Sequence, residues 1–508
     1  MSIVPSFKDL SFYSTPLNHT LRYQQLSQAF VQEYNENVDF ISRSPGRVNL
    51  IGDHIDYNFF PVLPMAIEVD VICGVKTDIE NRIILSNTNS QFQQEVIELP
   101  KDGSVVEINK DVFSWGNYFK CGLIVAHKYI LEKHPERKLR GMKMMFDGTV
   151  PTGGGLSSSA AFCVASTLAV LHANGISITK DDLTRITVVS EHYVGVNTGG
   201  MDQCASIYGE QQKALLIEFK PKLRGIPFKF PQEDVVFLIT NSLQISNKHE
   251  TAPVNYNLRV VEMAVASDLL AHRLKLSIPQ DSNLKTGSLR GVMDGYFGDW
   301  DGTPQTGIDR LSELLKMIET IFSEDEKVGC TKEMAAKLLQ LDDKQFHERY
   351  LSKFPVKFDK LKIYQRTRHV FFEARNVLEC LILLKGGKLE GQENDSDSFL
   401  SCFGAIMNKS HKSLDIYHNS SNEKLNSICD IALRNGSYGS RVTGAGWGGS
   451  VVHLTDAKSL PKLVNALTEE YYKVEFKGIG QEELREAIVV SKPAAGSCII
   501  ELPESIVN

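Results

Sequence analysis

"VPTGGGLSSSAAF" occupies residues 150–162. Three consecutive glycines, Gly153, Gly154 and Gly155, let a backbone approach a ligand with no Cβ in the way. Leu156 follows, and Ser157, Ser158 and Ser159 then lead into "SSSAAFCVASTLAVLHANG", small and apolar nearly all round, as a buried helix is. That helix is expected to stop at Asn174 and Gly175, a pair suited to a left-handed turn. Its first N–H groups and its dipole attract anions, so loop and helix together make a phosphate cradle. The pattern G-x-x-x-x-G-K-[ST] is not met and its lysine is absent, which excludes a Walker A loop. Read alone, the string fits equally well a glycine-rich turn joining a strand to a helix.

Around this segment strands and helices alternate. "GMKMMFDG" (141–148) places Met142, Met144 and Phe146 on one side, and Ile67, Val69, Val71, Cys73 and Val75 repeat every second residue. Both read as strands. "EFKPKLRGIPFKFPQED" (218–234) carries three prolines before "DVVFLITNS" restarts as a strand, and the domain boundary is placed there. Beyond it, Ile308, Leu311, Leu315, Ile318 and Phe322 share a helix face, and "KLKIYQRTRHVFFEARNVLECLILL" has similar spacing. "DGYFGDWDGTPQTG" and "GQENDSDS" read as surface loops. The expected architecture is α+β: two domains, 1–228 and 229–508, with the active site in the cleft between them.

Bulk properties remove several classes of function. A chain of 508 residues exceeds the size at which one core stops growing. Its net charge of −7 speaks against direct nucleic-acid binding through a basic field. No run approaches the roughly 20 apolar residues that span a bilayer, and the N-terminus has no signal-peptide pattern. Nine cysteines without C-x-x-C spacing suit neither a disulfide framework nor a zinc site. A cytoplasmic protein with inert thiols is expected.

Three further segments carry chemistry. "SPGRVNLIGDHIDYN" (44–58) crowds Arg47, Asp53, His54 and Asp56 between glycines. "EHYVGVNTGGMDQ" (191–203) sets Glu191 eleven residues before Asp202, beyond a Gly-Gly turn expected to lift Asp202 off the regular ladder. One carboxylate can hold a hard cation and another can take a proton; singly, each also fits a solvated helix face or a cap. "GSYGSRVTGAGWGGSVVHL" (436–454) has six glycines before a strand. Close backbone packing against another glycine-rich loop explains them better than a linker does.

These motifs, in this order, resemble those of the galactokinase family, within the GHMP kinase superfamily of small-molecule kinases, and the fungal members above all. "SNKHETAPVNYNLRVVE" and "SKPAAGSC" extend the likeness over nearly the whole chain. The resemblance implies ATP-dependent phosphorylation of the C1 hydroxyl of galactose. It implies that Arg47 faces Asp202, which accepts the hydroxyl proton or assists its loss electrostatically. Asp53, His54, Asp56, Gly199 and Tyr256 would line the sugar pocket with Arg47 and Asp202. The backbone from Gly153 to Ser159 would wrap the phosphates, Ser159 and Glu191 would hold Mg²⁺, and Trp115 would border the adenine.

One departure concerns the sugar. Many members have glutamate where this chain has Asp53, so its reach to the sugar's outer hydroxyl is shorter by a methylene. Two other readings stand beside the kinase: a galactose and ATP sensor that binds a transcriptional repressor, and an N-acetylgalactosamine kinase. The full-length "SSSAA" favours an active enzyme. Mevalonate and homoserine are disfavoured, because those anions need local cations where "GDHIDY" supplies carboxylates.

Overall fold

A computed structural model describes residues 2–109, 114–194, 199–244, 251–390 and 398–501. Most of "GQENDSDS", the first residues of "SNKHETAPVNYNLRVVE" and the four residues before Gly199 lie outside that range.

The strands are β1 (Ser6–Phe7), β2 (Phe40–Ile51), β3 (Leu63–Asp78), β4 (Arg82–Asn87), β5 (Glu95–Glu98), β6 (Gly141–Gly148), β7 (Lys213–Glu218), β8 (Arg224–Lys229), β9 (Val235–Asn241), β10 (Gly439–Thr443), β11 (Ser450–Asp456), β12 (Ile488–Ser491) and β13 (Cys498–Ile500). Helices that position the site are α1 (Pro16–Tyr34), α2 (Gly116–Lys133), α3 (Ser158–Ala173), α4 (Lys180–Thr187), α5 (Met201–Tyr208), α6 (Tyr256–Leu274), α7 (Pro304–Ile321), α8 (Ile363–Leu384) and α9 (Phe399–Ser413).

A seven-stranded sheet runs β1-β13-β2-β3-β6-β4-β5, and a four-stranded sheet runs β10-β11-β9-β12. β2 is buried along its whole length. Its pairing with β3 shifts register between Pro45 and Arg47. Proline lacks the ladder N–H, so a central strand tolerates it at such an irregularity, and a bulge re-aims the side chain that follows. Here that side chain is Arg47. α3 packs against α2 and against β2 and β3, which is why it needs no polar face. It ends at Asn174, with Gly175 at φ +68°.

The strand expected at 141–148 is β6, and "DVVFLITNS" supplies β9. In α7 the deeply buried positions are Leu311, Leu314 and Ile318, while Leu315 is half-buried. "DGYFGDWDGTPQTG" is helical at both ends, leaving a short connection that ends at Thr303.

The second half does not keep its own C-terminus. After β12, the chain leaves the four-stranded sheet, and β13 enters the larger one, parallel to β1 and antiparallel to β2. The range 229–508 therefore contributes a strand to the first half's sheet. The main hydrophobic cluster likewise draws on both halves, from Val4 to Ile499. Local proline punctuation could mark where one sheet ends but not where the chain returns.

Candidate active site

Arg47 joins three segments of sequence. From the bulged β2, its Nε donates to Asp202 Oδ1 at 2.7 Å, its Nη2 lies 2.7 Å from the same oxygen, and its Nη1 donates to Gly155 O at 2.8 Å. Its backbone N–H donates to Leu156 O at 3.1 Å. Gly46 makes this approach possible, since a Cβ there would stand 2.8 Å from Leu156 O.

Asp202 is not lifted off the helical ladder. It lies in the first turn of α5, behind Gly200 at φ +95°, because the Gly-Gly turn starts the helix instead of interrupting it. A helix N-terminus and a guanidinium both favour the ionised carboxylate. The Asp202 side chain is 16% exposed, against 4% for Arg47. The acid is thus held but reachable.

Asp56 stands opposite, in a short 3₁₀ turn (Asp56–Asn58). Burial, then the charge of Asp202, push its carboxyl up to about 7. Gly199 lies against it so closely that any side chain there would collide with the Asp56 carboxyl. His54 has φ +63°. Burial pushes its imidazole down to about 3, so the ring is neutral and its Nε2–H donates to Ala445 O at 2.9 Å. It stacks on His418, with centroids 4.0 Å apart, and meets Tyr256 and Trp447 at 5.7 and 5.5 Å.

The phosphate loop is shaped by three residues in the left-handed region: Gly153 (φ +75°), Gly155 (φ +72°) and Ser157 (φ +61°). Ser157 sits at the N-cap of α3 without capping it, and its buried hydroxyl has no hydrogen-bond partner. A buried hydroxyl left in that state calls for an acceptor, and the open N–H groups of Ser158 and Ser159 beside it suit an anion. The glycine-rich turn between β10 and β11 closes over this loop. Ser450 Oγ donates to Gly154 O at 2.6 Å, and a Cβ at Gly444 would lie 2.6 Å from Gly155 O. Of the six glycines of 436–454, Gly444 and Gly449 make the loop-to-loop packing expected of them, while Gly436, Gly439 and Gly446 lie against Ser459, Gly404 and Ser420 instead.

Glu191 is buried and accepts from Gln203 Nε2 at 2.8 Å. It lies in the short 3₁₀ turn Ser190–Val194, which packs against α3, the helix that carries Ser159. Among the described residues no three His, Cys, Asp or Glu side chains converge on a metal. A carboxylate and a hydroxyl still fit a Mg²⁺ that keeps waters and phosphate oxygens as its other ligands. Trp115 stands at the N-terminus of α2, donates from Nε1 to Gln93 O at 2.9 Å, and meets Phe92, Phe146 and Phe162 edge-on or tilted at about 6 Å. One flank of its ring is thus committed to the core.

Sequence reasoning overlooked Arg441, Glu373 and His369. Asp53 is 1% exposed; its Oδ1 accepts from Asn49 Nδ2 at 2.9 Å and its Oδ2 lies 2.8 Å from Arg441 Nη2. Arg441 stands inside "GSRVTGAGWGG", where nothing local marks partners that lie nearly four hundred positions earlier.

Comparison with known proteins gives this geometry a context. Family models match at residues 28–77 (galactokinase galactose-binding signature), 117–210 (GHMP kinases N terminal domain) and 397–473 (GHMP kinases C terminal). The chain is 57% identical to the galactokinase of Schizosaccharomyces pombe, covering 99% of this chain and 100% of that one. The chain belongs to the galactokinase family. The galactokinase of Candida parapsilosis is also 57% identical, with 98% of each chain covered. A galactokinase structure from Lactococcus lactis, complexed with galactose, superposes with a TM-score of 0.65 at 21% identity over 93% of this chain and 98% of that one, a likeness of fold. As a galactokinase the chain is an ATP-dependent sugar kinase, and among the described residues no helix is long and apolar enough to cross a membrane.

Proposed function

We propose that this galactokinase transfers the γ-phosphoryl group of ATP to the C1 hydroxyl of galactose at the meeting point of Arg47 and Asp202. The observation that carries the proposal is the Arg47 side chain, 2.7 Å from Asp202 and 2.8 Å from Gly155 O. One guanidinium touches both the acceptor for the hydroxyl proton and the loop assigned to the phosphates. In-line transfer forms a bond from the sugar O1 to the γ-phosphorus and breaks the bond to the β,γ-bridging oxygen. The hydroxyl proton leaves toward Asp202, kept ionised by Arg47. Arg47 also faces the charge that develops on the transferring group.

His54, Asp56, Gly199 and Tyr256 are assigned to the sugar, whose ring of hydroxyls needs acceptors at fixed positions. The bare Cα of Gly199 beside Asp56 supports that assignment. Gly153 to Ser159 are assigned to the phosphates, with Ser157 Oγ among their donors, and Trp115 to the adenine. Ser159 and Glu191 would hold Mg²⁺, which when bound neutralises phosphate charge that no P-loop lysine is present to meet. The two ligand-binding halves are assigned to 1–228 and 229–508, joined by the returning β13. Eight buried cysteines support the reading of a reducing cytoplasm.

Purified chain with ATP, Mg²⁺ and galactose, beside N-acetylgalactosamine and glucose, tests the reading. Galactose 1-phosphate should form and the other sugars should be poor. Turnover on N-acetylgalactosamine instead would reassign the sugar. Binding of galactose and ATP without turnover would overturn the kinase reading in favour of a sensor, and association with a repressor protein would then be sought.

A further inference from the structure

The turn that leads from β2 into His54 and Asp56 is tied to the second half through the Gly52 N–H, the Asp53 carbonyl and one oxygen of the Asp53 carboxylate. Gly52 N–H donates to Glu373 Oε1 at 2.8 Å. The Asp53 carbonyl accepts from His369 Nε2 at 3.1 Å, and His369 Nδ1 pairs with Ser413 Oγ at 2.9 Å. The Asp53 carboxylate is held by Asn49 and Arg441. Arg441 in turn donates from Nη1 to Asn49 O at 2.8 Å and from Nε to Ser410 Oγ at 3.0 Å, while Nη2 also reaches Glu373 Oε1 at 3.4 Å. These charged side chains are shut off from water, at 0% exposure for Arg441 and Glu373 and 2% for Asp53.

A carboxylate so placed is shut off from solvent, with Oδ1 accepting from Asn49 and Oδ2 making its close approach to the Arg441 guanidinium as an ion pair without a further hydrogen bond. The missing methylene relative to glutamate draws Asp53 back toward the backbone, where Arg441 meets it. We infer that Asp53 is a positioning residue clamped by Arg441, and that this buried ion pair, not a contact from Asp53 to the sugar, sets how tightly galactose is held. The inference rests on the sugar-site assignment above. Its physical basis is the strained conformation next in the chain. His54 at φ +63° persists only where the surroundings over-determine it, and the clamp supplies that determination. Burial raises the Asp53 carboxyl while Arg441 opposes the rise, so removing the guanidinium would leave carboxylates without a countercharge.

The test uses Asp53→Asn and Arg441→Lys in the full chain. Sugar affinity is read by calorimetry, ATP affinity is measured in parallel, and the galactose derivatives lacking one hydroxyl each serve as probes. The Asn variant should weaken galactose about tenfold, a change of one decade in Kd. It should weaken every deoxy sugar by the same factor and leave ATP affinity within about twofold. The Lys variant, which keeps charge but loses the planar fork, should weaken galactose at least as much. A penalty that disappears for one deoxy sugar would overturn the inference, because it marks a direct hydroxyl contact. Unchanged galactose affinity in both variants would overturn it too. Should the Lys variant fail to fold, the deoxy series on the Asn variant decides alone. A parent chain that binds no galactose would overturn the sugar-site assignment first, and that result precedes any variant.

Discussion

Two arginine–carboxylate pairs flank the turn assigned to the sugar, and they differ in what surrounds them. Arg47 and Asp202 stand at the cleft with the acid 16% exposed, whereas Arg441, Asp53 and Glu373 are sealed between β10, α8 and the signature turn. Both are short-range pairs of the same residue types. A group that must take a proton from a ligand has to remain reachable, and a group that must hold a backbone in place has to be unreachable, since water would compete for its partners. On the proposed assignments, chemistry falls to the open pair and geometry to the closed one.

The division can be broken most sharply at Asp202. Asp202→Asn should lower kcat by about 10²–10⁴-fold, the usual worth of a positioned acid–base group, with ATP affinity and melting temperature nearly unchanged. A large loss of stability with kcat retained would put Asp202 in the wrong class. Arg441→Met should do the converse. Stripping one partner from a buried charge cluster costs about 3–5 kcal/mol, read as a lowered denaturant midpoint, and Arg47→Met should cost less stability than this.

Between the two pairs lies the junction of glycine-rich loops. Gly444→Ala places a Cβ 2.6 Å from Gly155 O at a φ of +80°, a conformation worth about 1–3 kcal/mol of strain for other residues. Its effect should fall on ATP affinity more than on galactose affinity, and the reverse order in titrations would reassign the junction.

The last expected effect is one of pH. Asp56 has its carboxyl pushed up to about 7, above its unfolded value, so between about pH 4 and 7 the native state binds the extra proton. Stability from this group therefore falls as pH rises through that window and stays reduced above it. The kcat/KM for galactose should run oppositely, climbing toward pH 7 as Asp56 ionises to accept sugar hydroxyls. Asp56→Asn should flatten both profiles. His54, neutral down to about pH 3, should add no inflection; one that survives in the Asn variant and vanishes with His54→Gln would contradict this.

How much of this was legible depended on range. Period-two alternation gave β3 and β6, and the all-round apolar stretch after Ser157 gave α3, because those patterns are local. The packing of Gly444 and Gly449 on the 153–155 loop was also readable, since glycines so close together point to a neighbouring backbone. Asp202 was misplaced because a Gly-Gly pair can interrupt a helix or begin one, and only the helix itself distinguishes the two. The Arg441 clamp was invisible for a different reason. Its partners Asn49 and Asp53 lie nearly four hundred positions earlier, and an arginine beside a valine in a short strand carries no mark of what it will reach. The return of β13 escaped detection likewise, three residues with no periodicity of their own.

That return has a bearing on how the protein is made. β2 is complete early in synthesis, yet the edge it offers to β13 stays unpaired until the ribosome has added over four hundred more residues, an interval of tens of seconds at about 5–20 residues per second. An open strand edge is an invitation to foreign pairing, so the nascent chain carries that liability throughout the interval. A premature stop a few codons short of Cys498 would then release a product that chaperones and proteases should recognise by that vacant edge.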